Sequence, residues 1–315
     1  MSGYANTVMV SLLVCLGLNL ASAQSEVRIG YQRGGLSTLL QDRQLIENAL
    51  GEDVRVSWIL FPAGPQLLEA MNAGAIDFGS TGDSPPIFAQ AAGVPLRYVA
   101  GQRSFSDEAV IVPADSEIDS LADLQGKKVA YTVGSSANYT IVKALGSVGL
   151  SLDDIESIPL APADARAAFQ GGSVDAWVVW APFLTSAQLG LGAKALITRR
   201  ELVDGRSYYL AAERFVTEHP DWLEVILEQH QLATSWADTH RPEYYALLSA
   251  DTGIPTKVWD ETYAGREFYP LEPVSAEVVA SQQEVVDTFF GLGVIPEAVD
   301  IAADVWVWQP KLTGQ

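Results

Sequence analysis

Short runs of β-branched residues alternate with amphipathic stretches from position 27 to position 211, and then the runs stop. The runs fall at 27–31, 55–61, 76–80, 97–100, 109–112, 128–132, 157–160, 176–179 and 208–211. Such alternation is the pattern of an α/β fold with mainly parallel strands flanked by helices. Beyond Phe215 the spacing of apolar residues predicts helices only, over 221–238, 242–251, 255–264 and 275–292.

The alternation also repeats itself at a coarser scale. Residues 65–77 (…MNAGAID) and 162–175 (…FQGGSVD) each read as a proline, an amphipathic helix, a glycine stop (Gly74 or Gly172) and an aspartate that opens a strand. Two similarly built units about a hundred residues apart predict two lobes instead of one large sheet. At 315 residues the chain is long enough for each lobe to bury its own core.

Composition then excludes several function classes. With 39 acidic against 19 basic side chains the formal net charge is −20, and the six Lys and thirteen Arg are scattered with no cluster larger than a pair, so they give no field to neutralise a run of phosphates. Nucleic acid is therefore not an expected partner. One Cys and three His leave no zinc-finger, disulfide or His-metal pattern. His219, His230 and His240 are spaced about ten apart and are expected at the surface or at helix ends. No phosphate loop, dinucleotide fingerprint or nucleophile elbow occurs, and Gly126-Lys127-Lys128 reads as a solvated turn. The chain is expected to use no metal and no cofactor, and nothing points to an enzyme, although one built from Asp and Arg alone stays open.

The first 23 residues are uncharged. Positions 8–20 form an apolar run too short for a comfortable membrane span, and Ala21-Ser22-Ala23 follows as a small-x-small cleavage site. This predicts a secretory signal peptide cut after Ala23 and an exported chain. Val14 is too bulky to precede a lipid-anchored Cys15 in the usual lipoprotein site. The mature chain then carries no cysteine.

Candidate binding residues sit where parallel strands hand over to helices, the place where open α/β sheets hold ligands. The turns are Gln32-Arg33-Gly34-Gly35, Pro62-Ala63-Gly64-Pro65-Gln66, Thr81-Gly82-Asp83-Ser84, Gly134-Ser135-Ser136 and Trp180-Ala181-Pro182-Phe183. Free N–H groups at the following helix N-termini, with hydroxyls beside them, suit an anion without a formal cation. Each position also has a plainer role: Ser135 and Asp83 as helix N-caps, Phe61 and Trp180 as core aromatics, Arg166 as a solvated first-turn charge beside Asp164. A cation at a helix N-terminus is mildly unfavourable, so an anionic partner would rationalise Arg166.

Several stretches carry a resemblance. YQRGG (31–35), FPAGPQLLEAMNAGAIDFGSTGDSPPIFAQAAG (61–93), GSSANY (134–139), PADARAAFQGGSVDAW (162–177) and PVSAEV (273–278) resemble the periplasmic aliphatic sulfonate-binding proteins of ABC importers, within the wider nitrate/taurine/sulfonate-binding family. The likeness runs in order over nearly the whole mature chain. It implies a two-lobed type II periplasmic binding protein, with residues 24–106 and 211–315 in one lobe, 107–210 in the other, and the ligand in the cleft. Carried over from the resemblance, the ligand-binding positions are Gln32, Phe61, Gly64, Ser80, Thr81 and Gly82 of the first lobe, with Gly134, Ser135, Ser136, Arg166 and Trp180 of the second. Family members often have Lys before the Gly-Ser-Ser turn and His after it; here those places read Val133 and Ala137 or Asn138.

The resemblance implies capture of an alkanesulfonate by a monomer, followed by delivery to an ABC permease and its ATPase. The hydroxyls of Ser135, Ser136 and Thr81 with backbone N–H groups would cradle the head, and Phe61 and Trp180 would wall the alkyl tail. Taurine, nitrate or another small anion is the alternative ligand, with Asp83 or Asp164 as the partner of a taurine ammonium. A ligand-sensing role and a pyrimidine-precursor-synthase-like enzyme are the alternatives of other classes.

Overall fold

The computed structural model describes residues 25–104 and 107–310, so the leader and its expected cleavage site lie outside the described residues. β1 (Ser25–Gln32) leads through α1 (Leu36–Asp42) and α2 (Leu45–Leu50) to β2 (Val54–Phe61). α3 (Gly64–Asn72), β3 (Phe78–Gly82), α4 (Ser84–Ala91) and β4 (Leu96–Arg103) follow. The chain then passes to β5 (Glu108–Val112), β6 (Lys128–Tyr131), α5 (Ser136–Gly146), β7 (Glu156–Pro159), α6 (Pro162–Gln170), β8 (Ala176–Trp180), α7 (Phe183–Leu191) and β9 (Lys194–Thr198). A 3-10 turn (Arg199–Glu201) precedes β10 (Arg206–Ala212). The remaining longer elements are helical: α8 (Glu213–Glu218), α9 (Pro220–Thr239), α10 (Arg241–Thr252), α11 (Thr256–Tyr263) and α12 (Ala276–Gly291).

These strands make two sheets of the same design, in the orders β2-β1-β3-β10-β4 and β7-β6-β8-β5-β9. In each, four strands run one way and one runs back: β10 in the first sheet, β5 in the second. The reversed strand is always the first one laid down after the chain has passed between sheets. The four co-directional strands end at the cleft, so a chain arriving from the other lobe enters its new sheet at that end and must run away from it. Strand direction is mainly parallel, while the pairings themselves divide evenly between parallel and antiparallel.

The chain leaves the first sheet at Arg103 and enters the second at Glu108, then leaves it at Thr198 and re-enters the first at Arg206. The expected division at 210/211 falls inside β10, whose whole length pairs with β3 and β4 of the first sheet. β9 has no counterpart among the predicted strands. It is a half-exposed edge strand containing a lysine, so it shows neither the continuous apolar run of a central strand nor a clean alternation.

The sequence echo has a structural meaning. Asp77 accepts from the Arg28 backbone N–H at 2.9 Å and returns its own N–H to the Arg28 carbonyl at 2.8 Å. Asp175 does the same to Lys128, at 2.8 Å in both directions. Each aspartate thus pins the start of the central strand, β3 or β8, to its neighbour β1 or β6, which fixes register where a glycine-ended helix meets a strand.

Apolar clusters fill both faces of both sheets. The C-terminal helices complete the first lobe: α9, α10 and α11 bring Leu223, Leu248 and Trp259 onto one face, and α12 brings Val278 and Phe289 onto the other. α9 buries Leu223, Ile226, Leu227, His230, Ala233, Thr234 and Ala237, a stripe with helical spacing. His230 is therefore interior, contrary to the surface or helix-end role expected for it, because it falls on the apolar stripe.

Candidate ligand-binding cleft

A cavity of about 780 Å³ lies between the sheets, walled by strand ends and by the helix starts that follow them. The first lobe contributes Gln32, Phe61, Gly64, Ser80, Thr81 and Gly82; the second contributes Ser135, Ser136, Arg166 and Trp180. The lobes meet beside this cavity, where Thr262 of α11 donates to Thr185 of α7 at 2.9 Å.

Two proposed positions do not reach the wall. Asp83 occupies the N-cap position of α4 but makes no capping bond; its carboxylate is buried against Arg199 and accepts from Ser84 Oγ at 3.0 Å. It cannot serve an ammonium in the cleft. Gly134 gives its N–H to Asn138 Oδ1 at 3.0 Å, and a Cβ there would lie 3.6 Å from Pro65 and 3.8 Å from Phe88 of the other lobe. With φ at +75° it is a tight turn between lobes.

The proposed hydroxyl cradle also needs correction. Ser135 Oγ donates to the Thr132 carbonyl at 2.6 Å, Ser136 Oγ to Glu108 Oε2 at 2.5 Å, and Thr81 Oγ1 to the Gly82 carbonyl at 2.8 Å. A hydroxyl has one proton, and in all three it is engaged within the protein. Ser135 is the N-cap of α5, yet its side chain makes no capping bond.

The donors open to the cleft are of another kind. α3, α5, α6 and α7 all begin on its wall, and none has a side-chain cap. Their first-turn N–H groups have no intrahelical partner, and their dipoles present positive ends to the cavity. Two cations join them. Arg33, in the turn after β1, and Arg166, in α6, line the cavity from opposite lobes, and among the described residues neither has an acidic partner. The other lining cations are paired: Arg206 with Glu272 and with Glu277 at 3.3 Å, Arg199 with Asp83 and with Glu108 at 3.3 Å.

Arg199 is the hub of a buried network. Its Nη1 donates to Thr140 Oγ1 at 2.8 Å and to the Ser136 carbonyl at 3.1 Å, besides Glu108. Burial alone would lower its pKa, but Asp83 and Glu108 together raise it. Burial pushes the Asp83 carboxyl above the usual range, since one guanidinium is shared between two carboxylates.

The floor of the cavity is aromatic. His230 lies between Phe78, with ring centres 5.5 Å apart, and Tyr209, at 5.1 Å. Its Nδ1 is 2.8 Å from the Ile226 carbonyl, which assigns the proton to Nδ1. Burial lowers its pKa to about 4, so the ring is neutral.

Arg33, Glu108, Arg199 and His230 were not among the ligand-binding positions expected from the sequence, although Arg33 stood in one of the candidate turns and His230 was expected at the surface or a helix end. Arg33 had a signal, its place at the carboxyl end of a parallel strand. For the other three the signal is a set of contacts between residues far apart in the chain.

Residues 52–243 match the NMT1/THI5-like family. Over 287 residues, 90% of each chain, the protein is 40% identical to an aliphatic sulfonates-binding protein of Escherichia coli strain K12. It also superposes on the alkanesulfonate-binding protein SsuA from Xanthomonas axonopodis pv. citri bound to MOPS. The TM-score is 0.85 at 36% identity, covering 90% of this chain and 98% of that one. For the periplasmic aliphatic sulphonate binding protein SsuA of Escherichia coli the TM-score is 0.81 at 40% identity, covering 90% and 97%.

Proposed function

The chain belongs to the NMT1/THI5-like family, and on that premise we propose that it captures aliphatic sulfonates in the cleft and delivers them to an ABC importer. The observation that carries this reading is that Arg33 and Arg166, one arginine from each lobe with no acidic partner among the described residues, line a cavity rimmed by uncapped helix N-termini. A sulfonate is a monoanion at neutral pH and only accepts hydrogen bonds. Guanidinium and backbone N–H groups only donate, so head and cradle are complementary. Neither lobe carries both arginines, so the ligand favours the state in which the lobes close on it.

The rest of the cavity suits a tail. Phe61, Leu60, Trp58 and Trp180 give it apolar walls, and a volume of about 780 Å³ exceeds what nitrate would fill. Taurine fits less well, because the acids that line the cavity, Asp107 and Glu108, are already paired with arginines. Among the described residues no helix is long and apolar enough to cross a membrane. Cleavage after Ala23 accords with the uncharged apolar leader, and export to the periplasm with the likeness to the periplasmic binding protein of Escherichia coli. The net charge of −20 would favour docking on a basic permease surface.

Trp58 and Trp180 both line the cavity and provide the test. Butane-1-sulfonate should shift the intrinsic tryptophan emission saturably in the micromolar range. An emission that stays unchanged to millimolar ligand contradicts the proposal.

A further inference from the structure

Ser136 stands on the cleft wall in the first turn of α5, yet its hydroxyl proton is held out of the cleft, on Glu108 Oε2 at 2.5 Å. Several contacts hold it there. Glu108 is only 5% exposed, at the first position of β5. Its other oxygen accepts from Thr140 Oγ1 and from Arg199 Nη1 at 3.3 Å. The same Nη1 donates to Thr140 Oγ1 at 2.8 Å, which commits the Thr140 proton to Glu108. Glu108 thus receives two hydroxyls and a guanidinium, and both of its oxygens act as acceptors. Towards the cavity, Ser136 Oγ therefore presents lone pairs and no proton.

A sulfonate presents lone pairs as well. Two acceptors facing each other in a partly dehydrated site repel, and neither is satisfied. The conflict disappears when the ligand brings a donor of its own beside the head. An ammonium would meet the two arginines of the cradle, Arg33 and Arg166, and among the described residues the carboxylates on the wall, Asp107 and Glu108, are already paired. A hydroxyl carries no such penalty.

We infer that Ser136, with its proton committed to Glu108, selects hydroxyalkanesulfonates over alkanesulfonates of equal size. The inference rests on the reading of the cleft as a sulfonate site and names the class of sulfonate that the site prefers. Arg199 is a positioning residue: it acts through Glu108 and Thr140, fixing which way the Ser136 proton points.

The test compares 2-hydroxyethanesulfonate with propane-1-sulfonate, which have the same number of heavy atoms, by calorimetric titration. The ratio of their affinities should be about three- to tenfold more in favour of the hydroxy ligand in the wild type than in Ser136→Ala, the worth of one hydrogen bond. Glu108→Gln places an amide donor against Ser136 and releases its proton to the cleft, so the preference should shrink or reverse. Purely structural damage would weaken both ligands together and leave the ratio alone. Taurine should bind the wild type more weakly than 2-hydroxyethanesulfonate. A ratio unchanged within twofold in Ser136→Ala overturns the inference, as does tighter binding of taurine. Should Glu108→Gln fail to fold, Ser136→Ala alone decides. Absence of wild-type binding to every sulfonate overturns the underlying reading and the inference with it, whereas an unchanged ratio overturns the inference alone.

Discussion

Arg199 Nη2, in the turn that returns the chain from the second lobe, donates to the carboxylate of Asp83 at the end of β3 in the first lobe. Their side chains are 8% and 5% exposed. The pair is an electrostatic pin through the place where the lobes join, and Glu108 shares the same guanidinium.

Replacing Arg199 by Met strands two buried carboxylates and should cost about 3–5 kcal/mol of stability at neutral pH. The Asp83 carboxyl titrates above its ordinary range in the folded protein. It therefore takes up a proton on folding, and its contribution to stability falls as pH rises through that window and returns below it. Without Arg199 the window extends to higher pH. Urea melts at pH 5 and pH 7.5 should show the gap between wild type and Arg199→Met narrowing at the lower pH.

His230 predicts a different acid sensitivity. Its folded pKa of about 4 lies below the ordinary value of 6.5, so the unfolded chain binds the extra proton between those values. Stability from keeping the ring neutral is complete above about pH 6.5 and declines as pH falls towards 4, by up to about 3 kcal/mol. His230→Gln should lose this part of the pH dependence while keeping a polar group opposite the Ile226 carbonyl. Denaturant midpoints across pH 4–7 in both proteins give the comparison.

The tail wall has its own signature. Each methylene buried against Trp180 and Phe61 is worth about 0.8 kcal/mol, or roughly a fourfold gain in affinity. Affinity should climb along ethane-, propane- and butane-1-sulfonate, and the slope should flatten in Trp180→Ala. A slope that survives in that variant places the tail elsewhere.

Much of the fold was legible because its causes are local. Strand runs, glycine-ended helices and the paired aspartates Asp77 and Asp175 each declare themselves within a dozen residues. β9 did not, because a half-exposed edge strand has no strong pattern to declare. The site was legible in position, since topology puts ligands at the carboxyl ends of parallel strands. Its chemistry was less so. Whether Ser136 donates to the cleft or only accepts depends on Glu108, twenty-eight positions away, and the role of Asp83 depends on Arg199, 116 positions away. His230 was misplaced because an imidazole is polar by composition, yet this one lies on the buried face of α9 with its proton spent on the helix backbone.

The hydroxyls of Ser135 and Thr81 are spent on backbone carbonyls, so their removal should matter little for the ligand. Ser135→Ala and Thr81→Val should each change sulfonate affinity by less than about threefold in equilibrium titrations, within the net worth of a single neutral hydrogen bond.

The most direct measurement is a calorimetric titration of ligand-free protein with butane-1-sulfonate, nitrate and sulfate, repeated on Arg33→Ala, Arg166→Ala and the double variant. A charge-assisted hydrogen bond of about 1.5–3 kcal/mol corresponds to a loss of roughly ten- to a hundredfold. The account predicts one butane-1-sulfonate per chain at micromolar affinity, a loss of that size in each single variant, and no detectable binding in the double variant. Wild-type binding of nitrate or sulfate without butane-1-sulfonate, or full affinity in the double variant, would contradict it.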